Sequence, residues 1–392
     1  MPENTRRRQS LATIPPELQL AIIEYLDAQG KAALLDSDLL SPSLIICENK
    51  LDDYDWYGHT FLHAAAQRNY TKAAKLLLAA GASHSPESEA DWDGGATPLV
   101  LASKDGHLSI LHILLDHGAK PEECSHSDVS CLHHACEEGH THIVEALLDH
   151  EADLNSLSLD IGSPLHVAVA GRHADIVRIL LANGAKVNAM RRRMSGMTAL
   201  HTAAANGDVA CVRLLLDAGA IATYEPAPED PGWFIRPPSL HDICAGPHYT
   251  AAWTWIEHGS RTSPAPALVW KEGEKEAYAE ILRLLCEAGG DVSAEVAGHE
   301  GTTPLHLAVV VRNCEAVKVL LGEGVNVSAR NSKGRSAILF ARLLGYEDVA
   351  ELLERALVAR PEKRRMPIVG PKPTVEVVGI AAQHCEMGLL DP

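Results

Sequence analysis

The chain is predicted to fold as an all-α solenoid of about nine helix-turn-helix repeats with projecting turns, and three observations predict it. A four-residue phrase of the type Thr/Ser-Pro-Leu-His returns about every 33 residues. Each copy continues with Ala, and most with Gly or Asn and a Leu-Leu pair, at the same offsets. Aromatic residues make up only 4% of the 392 residues, as suits thin layers filled by Leu, Ala and Val. Self-similarity at this period identifies a stack of small units, none of which buries its apolar face alone. The length prior of two or three globular domains gives way to one elongated array in which each unit packs on its neighbours.

The full phrase reads Thr97-Pro98-Leu99, Ser163-Pro164-Leu165-His166 and Thr303-Pro304-Leu305-His306. Softened copies are Thr60-Phe61-Leu62-His63, Ser130-Cys131-Leu132-His133, Thr198-Ala199-Leu200-His201 and the start of the last unit, Ser336-Ala337-Ile338. Thr or Ser before Pro is a helix N-cap, and Pro at the first helical position gives up only a donor that was already orphaned. An Ala follows four residues after the Pro slot (Ala65, Ala102, Ala135, Ala168, Ala203, Ala308, Ala341) and permits close helix approach. Gly near the eighth position, as in Gly106, Gly139 and Gly207, ends the first helix, because Gly takes a left-handed conformation at little cost. Pairs such as Leu77-Leu78, Leu114-Leu115, Leu147-Leu148, Leu180-Leu181, Leu215-Leu216 and Leu320-Leu321 mark the buried side of a second, antiparallel helix. Between positions 199 and 304 two weaker copies are read. One restarts at Ser239-Leu240-His241, and the other keeps only a second helix over residues 281–289.

These residues match the ankyrin repeat, and the resemblance covers roughly residues 55–355. It implies that partners bind a concave face made of projecting turns and first helices, without catalysis. Carried onto this sequence, the face holds Trp56, Tyr57, His59, Gln67, Arg68, Trp92, Asp93, Lys104 and Asp105. It continues through His126, Glu137, Glu138, Asp160, Arg192, Met194, Met197 and Asn206. The large apolar residues at turns (Trp56, Trp92, Met190, Met194, Met197, Trp233 and Phe234) are of the kind that anchors interfaces. The lengthened loop 221–238, which carries Trp233 and Phe234, belongs either to that binding edge or to tolerated surface.

Residues 1–50 form an N-terminal segment, 51–358 the repeat domain and 359–392 a Pro-rich, basic tail with an apolar stretch at 375–382. Within the first segment, residues 14–26 read as one amphipathic helix with Pro at its start and Leu18, Ile22, Ile23 and Leu26 on one side. Such a helix caps the first repeat. The same stretch resembles the opening of an F-box, a start found in fungal-type ankyrin proteins, which docks on a Skp-type adaptor of cullin ubiquitin ligases. The resemblance would place Ile14, Pro16, Leu18 and Ile22 against that adaptor. Residues 28–46 offer the further F-box helices only loosely.

The remaining composition is used to exclude. A net charge of −18 argues against a nucleic-acid surface, which draws its affinity from clustered positive charge. Arg6–Arg8 and Lys363–Arg365 are short basic runs that serve as nuclear-import signals or as solvated surface. Nine cysteines without paired spacing point to a reducing compartment, cytoplasmic, nuclear or both. No run of 18 apolar residues is present, so no membrane span is expected. Of 21 histidines, ten fall in two repeat slots, headed by His133 and His140. The cluster Cys124, His126, Cys131, His133, His134, Cys136, His140 and His142 lacks the paired spacing of a zinc site. No phosphate loop, His-Glu-x-x-His or nucleophile elbow appears, so no metal, cofactor or catalytic residue is assigned. The expected partner is a protein, bound by a monomer.

Overall fold

The computed structural model describes residues 27–37, 51–55, 58–88, 95–125, 128–191, 197–222, 244, 246–248, 256, 269–290, 292 and 301–359. A short helix, α1 (Ala28–Asp36), leads. Three helix pairs follow: α2 (Phe61–Arg68) with α3 (Thr71–Ala79), α4 (Pro98–Lys104) with α5 (Leu108–Asp116), and α6 (Cys131–Glu138) with α7 (Thr141–Asp149). Next come α8 (Pro164–Ala170) with α9 (Ala174–Ala182), and α10 (Ala199–Ala205) with α11 (Val209–Asp217). A single long helix, α12 (Glu274–Glu287), precedes the last pairs, α13 (Pro304–Val310) with α14 (Cys314–Glu323) and α15 (Ala337–Leu343) with α16 (Glu347–Ala359). Pairs and single helices together agree roughly with the count of about nine units.

First helices stack in one row and second helices in another: α2, α4, α6, α8 and α10 are successive neighbours, as are α3, α5, α7, α9 and α11. The spaced Ala makes this possible. Ala65, Ala102, Ala135, Ala168, Ala203, Ala308 and Ala341 are all 0% exposed. In each Leu-Leu pair the first member is fully buried, whereas the second lies at the margin of the layer. Burying each such Leu stabilises the stack by roughly 2 kcal/mol.

Two stretches differ from expectation. The helix that covers the first repeat is α1, inside the 28–46 stretch where only loose helices were expected. Its Ala28, Ala32 and Leu35 are buried, and it lies against both α2 and α3. Polar ties fix it: Asp55 accepts the Ala28 backbone N–H at 3.1 Å, and Asp36 accepts those of Lys72 and Ala73 at the start of α3. The amphipathic segment 14–26 lies outside the described residues. The second departure is α12, which packs on both α11 and α14 and so occupies the second-helix place between the fifth pair and α13–α14. It begins at Glu274, earlier than the 281–289 helix read from the sequence. Glu274 accepts the Lys271 backbone N–H at 2.9 Å, and Gly273 takes φ +76° at the N-cap.

Candidate protein-binding face

Two ladders of ring side chains hold the repeats in register and thereby position the expected binding residues. The first is built from His63, His133, His166, His201 and His306 at the third helical position. In each case the N-cap backbone N–H donates to the ring Nδ1 at 3.1–3.2 Å, closing a capping box with the Thr or Ser hydroxyl. Nδ1 is therefore an acceptor, and the ring hydrogen sits on Nε2. From there the rings of His63, His133 and His166 donate forward to the turn before the next repeat, to the carbonyls of Ala96 at 3.0 Å, Gly162 at 3.0 Å and Met197 at 3.2 Å. Burial holds the pKa of His166, His201 and His306 down at about 4 and also lowers that of His133.

The second ladder runs backward, from the start of each second helix to the end of the preceding first helix. His107 Nε2 donates to the Gln67 carbonyl, His140 to that of Lys104 and His173 to that of Glu137, each at 3.0 Å. Where α12 replaces the usual second helix, Tyr278 takes the same part, its hydroxyl donating to the Ala205 carbonyl at 2.7 Å. Trp270 Nε1 donates to the Val311 carbonyl at 3.0 Å. These carbonyls are the orphaned groups of a helix C-terminus, so each ring completes a first helix of a neighbouring repeat, the preceding one for the histidines and Tyr278 and the following one for Trp270. Beneath His173 the space is tight: a Cβ on Gly139, at φ +80°, would lie 2.6 Å from the His173 ring, although the first repeat carries Asn69 at the matching left-handed position.

The backbone so held is that of the expected face. Gln67, Lys104 and Glu137 offer their carbonyls to the ladder while their side chains reach the surface, Gln67 in part. Arg68, Asp105 and Glu138 stand beside them, exposed, and Asn206 is partly exposed. Their charges fall in blocks, with Arg68 and Lys104 first and Asp105, Glu137 and Glu138 after them. Partial burial raises the Asp105 carboxyl pKa, opposed by His107, Lys104 and Arg68. Arg172, absent from the sequence reading, extends the series: it has φ +61° and donates to the Asn206 carbonyl. Its place is the left-handed turn position where other copies carry Gly, and that exchange of Arg for Gly was the available signal.

The projecting turns are narrow hairpins, closed by single antiparallel pairs at Cys124–Ser130, Ser158–Gly162 and Arg330–Ser336. Asp160 is exposed at one tip, and Arg191 of the next turn donates to its carbonyl at 2.9 Å. Met197 is partly exposed, and its carbonyl accepts the Arg191 backbone N–H at 3.0 Å. Leu157, Leu159 and Met190 are 39%, 41% and 55% exposed and form an apolar edge. Leu157 sits outside the slots that the repeat pattern assigns to partners, whereas Leu159 occupies the one that Trp56 holds in the first repeat, where the sequence reading takes the neighbouring Asp160 instead. Alternation about Ser158 is the signal that would have found them. His59, by contrast, is 7% exposed and stacks on His63 with ring centroids 5.4 Å apart, so it serves the interior. Trp56, Tyr57, Trp92, Asp93, His126, Arg192, Met194, Trp233 and Phe234 lie outside the described residues, as do Ile14, Pro16, Leu18 and Ile22.

The histidine-cysteine cluster is dispersed: His133 and His140 belong to the ladders, Cys124 and His142 are exposed, His126 lies outside the described residues, and Cys131 and Cys136 are 0% exposed, where burial pushes both thiol pKa values up. Among the described residues no three His, Cys, Asp or Glu side chains are grouped to hold one ion. No described helix is long and apolar enough to cross a membrane.

A family model described as Ankyrin repeats (3 copies) matches residues 32–124, 120–191, 159–226 and 273–360. Over 173 residues the chain is 29% identical to the E3 ubiquitin-protein ligase KEG of Arabidopsis thaliana, covering 40% of this chain and 10% of that protein. A match to glycerophosphocholine phosphodiesterase gde1 of Schizosaccharomyces pombe is 33% identical over 100 residues, 26% of this chain and 8% of that one. The chain thus spans a tenth or less of the length of these two relatives. The Notch-regulated ankyrin repeat-containing protein A of Danio rerio is 31% identical over 90 residues, which is 22% of this chain and 80% of that protein. Among solved structures, the human ASB11 ankyrin repeat domain aligns at TM-score 0.45 with 29% identity, covering 51% of this chain and 86% of that one.

Proposed function

The chain belongs to the ankyrin-repeat family, and on that footing we propose that it is a non-catalytic scaffold or regulatory binder for a protein partner. The face is the series Gln67, Arg68, Lys104, Asp105, Glu137, Glu138, Arg172 and Asn206, bordered by Asp160 and the apolar turn residues Leu157, Leu159 and Met190. One observation carries this reading: ring ladders fix the helix ends beneath these side chains, while the charged groups themselves remain at the surface. A preorganised backbone lowers the ordering cost of binding, and exposed charge in blocks selects a partner of complementary pattern. The blocks favour a protein segment that places acidic groups opposite Arg68 and Lys104 and basic groups opposite Glu137 and Glu138.

The test is capture of partners from the native cell by wild type and by a Glu137→Lys, Glu138→Lys variant. Both residues are exposed, so the helical circular dichroism spectrum and melting temperature should stay unchanged. Partner recovery should fall about tenfold or more, the size of effect that like-charge contacts produce. Equal recovery by both proteins would refute the assignment of this face.

A second reading, a substrate-recruiting adaptor of a cullin ubiquitin ligase, draws support from α1. Ala28, Ala32 and Leu35 of α1 already cover the first repeat, so that covering does not depend on residues 14–26. The Arabidopsis relative is named as a ubiquitin ligase, over a stretch that is a tenth of its length. Mixing the full chain with a Skp-type adaptor decides the matter. Micromolar retention that is lost in Pro16→Ala with Leu18→Asp supports adaptor docking. Absence of retention by wild type leaves the scaffold reading alone.

A further inference from the structure

The last repeat departs from its predecessors at the positions that would meet a following unit. Leu339 stands where His306 stands one repeat earlier, and it is 36% exposed where His306 is 1%. Arg342 replaces the buried Val309, Glu354 replaces Leu321, and these two new residues pair with each other across the outer surface. Leu343 replaces Val310 and is only partly buried, whereas Val310 is 0% exposed. Leu357 and Val358, at the end of α16, are 46% and 81% exposed. The stack therefore ends in a mixed surface. The Arg342–Glu354 pair tolerates water, while Leu339, Leu343, Leu357 and Val358 form an apolar strip of the kind that terminal repeats normally exclude.

We propose that residues 375–382 of this same chain seat on that strip in place of the missing next unit. This stretch carries Val375, Val377, Val378 and Ile380, aliphatic side chains that match the apolar strip. The chain leaves α16 beside Val358, so the occupant is tethered to its site at high effective concentration. Residues 360–374 span up to about 50 Å when extended, well over the roughly 20 Å length of the 13-residue α16. Charge adds little to the return. The connecting stretch is basic (Arg360, Lys363, Arg364, Arg365 and Lys372 against Glu362), but on α16 Asp348, Glu351 and Glu354 already pair with Arg312, Arg355 and Arg342.

Hydrogen exchange on the full chain, followed by mass spectrometry across a range of protein concentrations, tests the proposal. Amides of residues 375–382 should exchange about tenfold or more slowly than an unstructured peptide, at every concentration. Val377→Asp with Val378→Asp, outside the repeat stack, should abolish that protection and speed exchange in α15 and the end of α16. Leu339→Asp should free the tail from the other side. Should that variant fail to fold, the tail variant still decides. Unprotected rates at 375–382 in wild type would overturn the proposal. So would protection that grows with concentration alongside a dimer in sedimentation, because a second copy would then be the occupant.

Discussion

Acid should loosen this molecule at the first-helix N-caps that its buried histidines close. His166, His201 and His306 are 1%, 9% and 1% exposed, and burial lowers their pKa from 6.5 to about 4. Each ring also accepts the N-cap N–H at Nδ1, an interaction that a proton on that atom destroys. The unfolded chain takes up a proton near pH 6.5, the folded chain only near pH 4. Stability from each ring is thus fully present above pH 6.5 and is lost as pH falls from there to about 4. A depression of this size corresponds to about 3 kcal/mol per histidine, with a slope of up to about 1.4 kcal/mol per pH unit between the two values. Urea unfolding at pH 7.5, 6.0 and 5.0, followed by circular dichroism, should show a midpoint that falls steadily. His166→Asn should be less stable at pH 7.5 yet show a shallower slope below pH 6.5. A midpoint unchanged between pH 7.5 and 5.0, or an equal slope in the variant, would refute the account.

Three further outcomes follow from packing. Gly139→Ala places a Cβ against the His173 ring at a left-handed backbone position. It should cost about 2–3 kcal/mol from strain and a lost hydrogen bond, and thermal melts of it and of the Gly139→Ala, His173→Ala double variant should show non-additive losses. Leu35→Asp buries a charge between α1 and the first repeat, so the melting temperature should fall by several degrees, with hydrogen exchange rising first in α2 and α3. Tyr278→Phe leaves the Ala205 carbonyl without its ring partner. A loss of about 1–3 kcal/mol in urea unfolding checks that contact.

The regular portions of the stack were legible because the phrase encodes both an N-cap and an inter-repeat donor, and residues with two structural duties recur. The Ala and Leu-Leu slots were found buried where their spacing placed them. The α1 helix was not legible: its N-cap is Asp27, bonded to the Gly30 backbone N–H at 2.7 Å, and none of the phrase remains. Helix α12 hid for a related reason. Its ladder ring is Tyr278 in place of His, and its packing on both α11 and α14 is a tertiary fact with no local signature. For the proposed face, spacing singled out Lys104, Asp105, Glu137 and Glu138, while Arg172 required seeing which turn tolerates a non-Gly residue at positive φ. His59 went the other way, since ring stacking on His63 draws an apparently exposed turn residue inward.

The two ladders give the third and fourth units a head and a tail. The third unit donates forward through His133 and backward through His140, and the fourth does the same through His166 and His173. These two units therefore share one coupling on each side, and either is suited to duplication in tandem, the new copy joining its neighbours without altered bonding. The α12 unit lacks that interchangeability. Its Tyr278 reaches back and its Trp270 reaches ahead, two bespoke fittings that suit only the neighbours it has. Growth or loss of repeats should thus be tolerated in the middle of the array and resisted at α12, which makes that helix the fixed landmark against which the array's length is set.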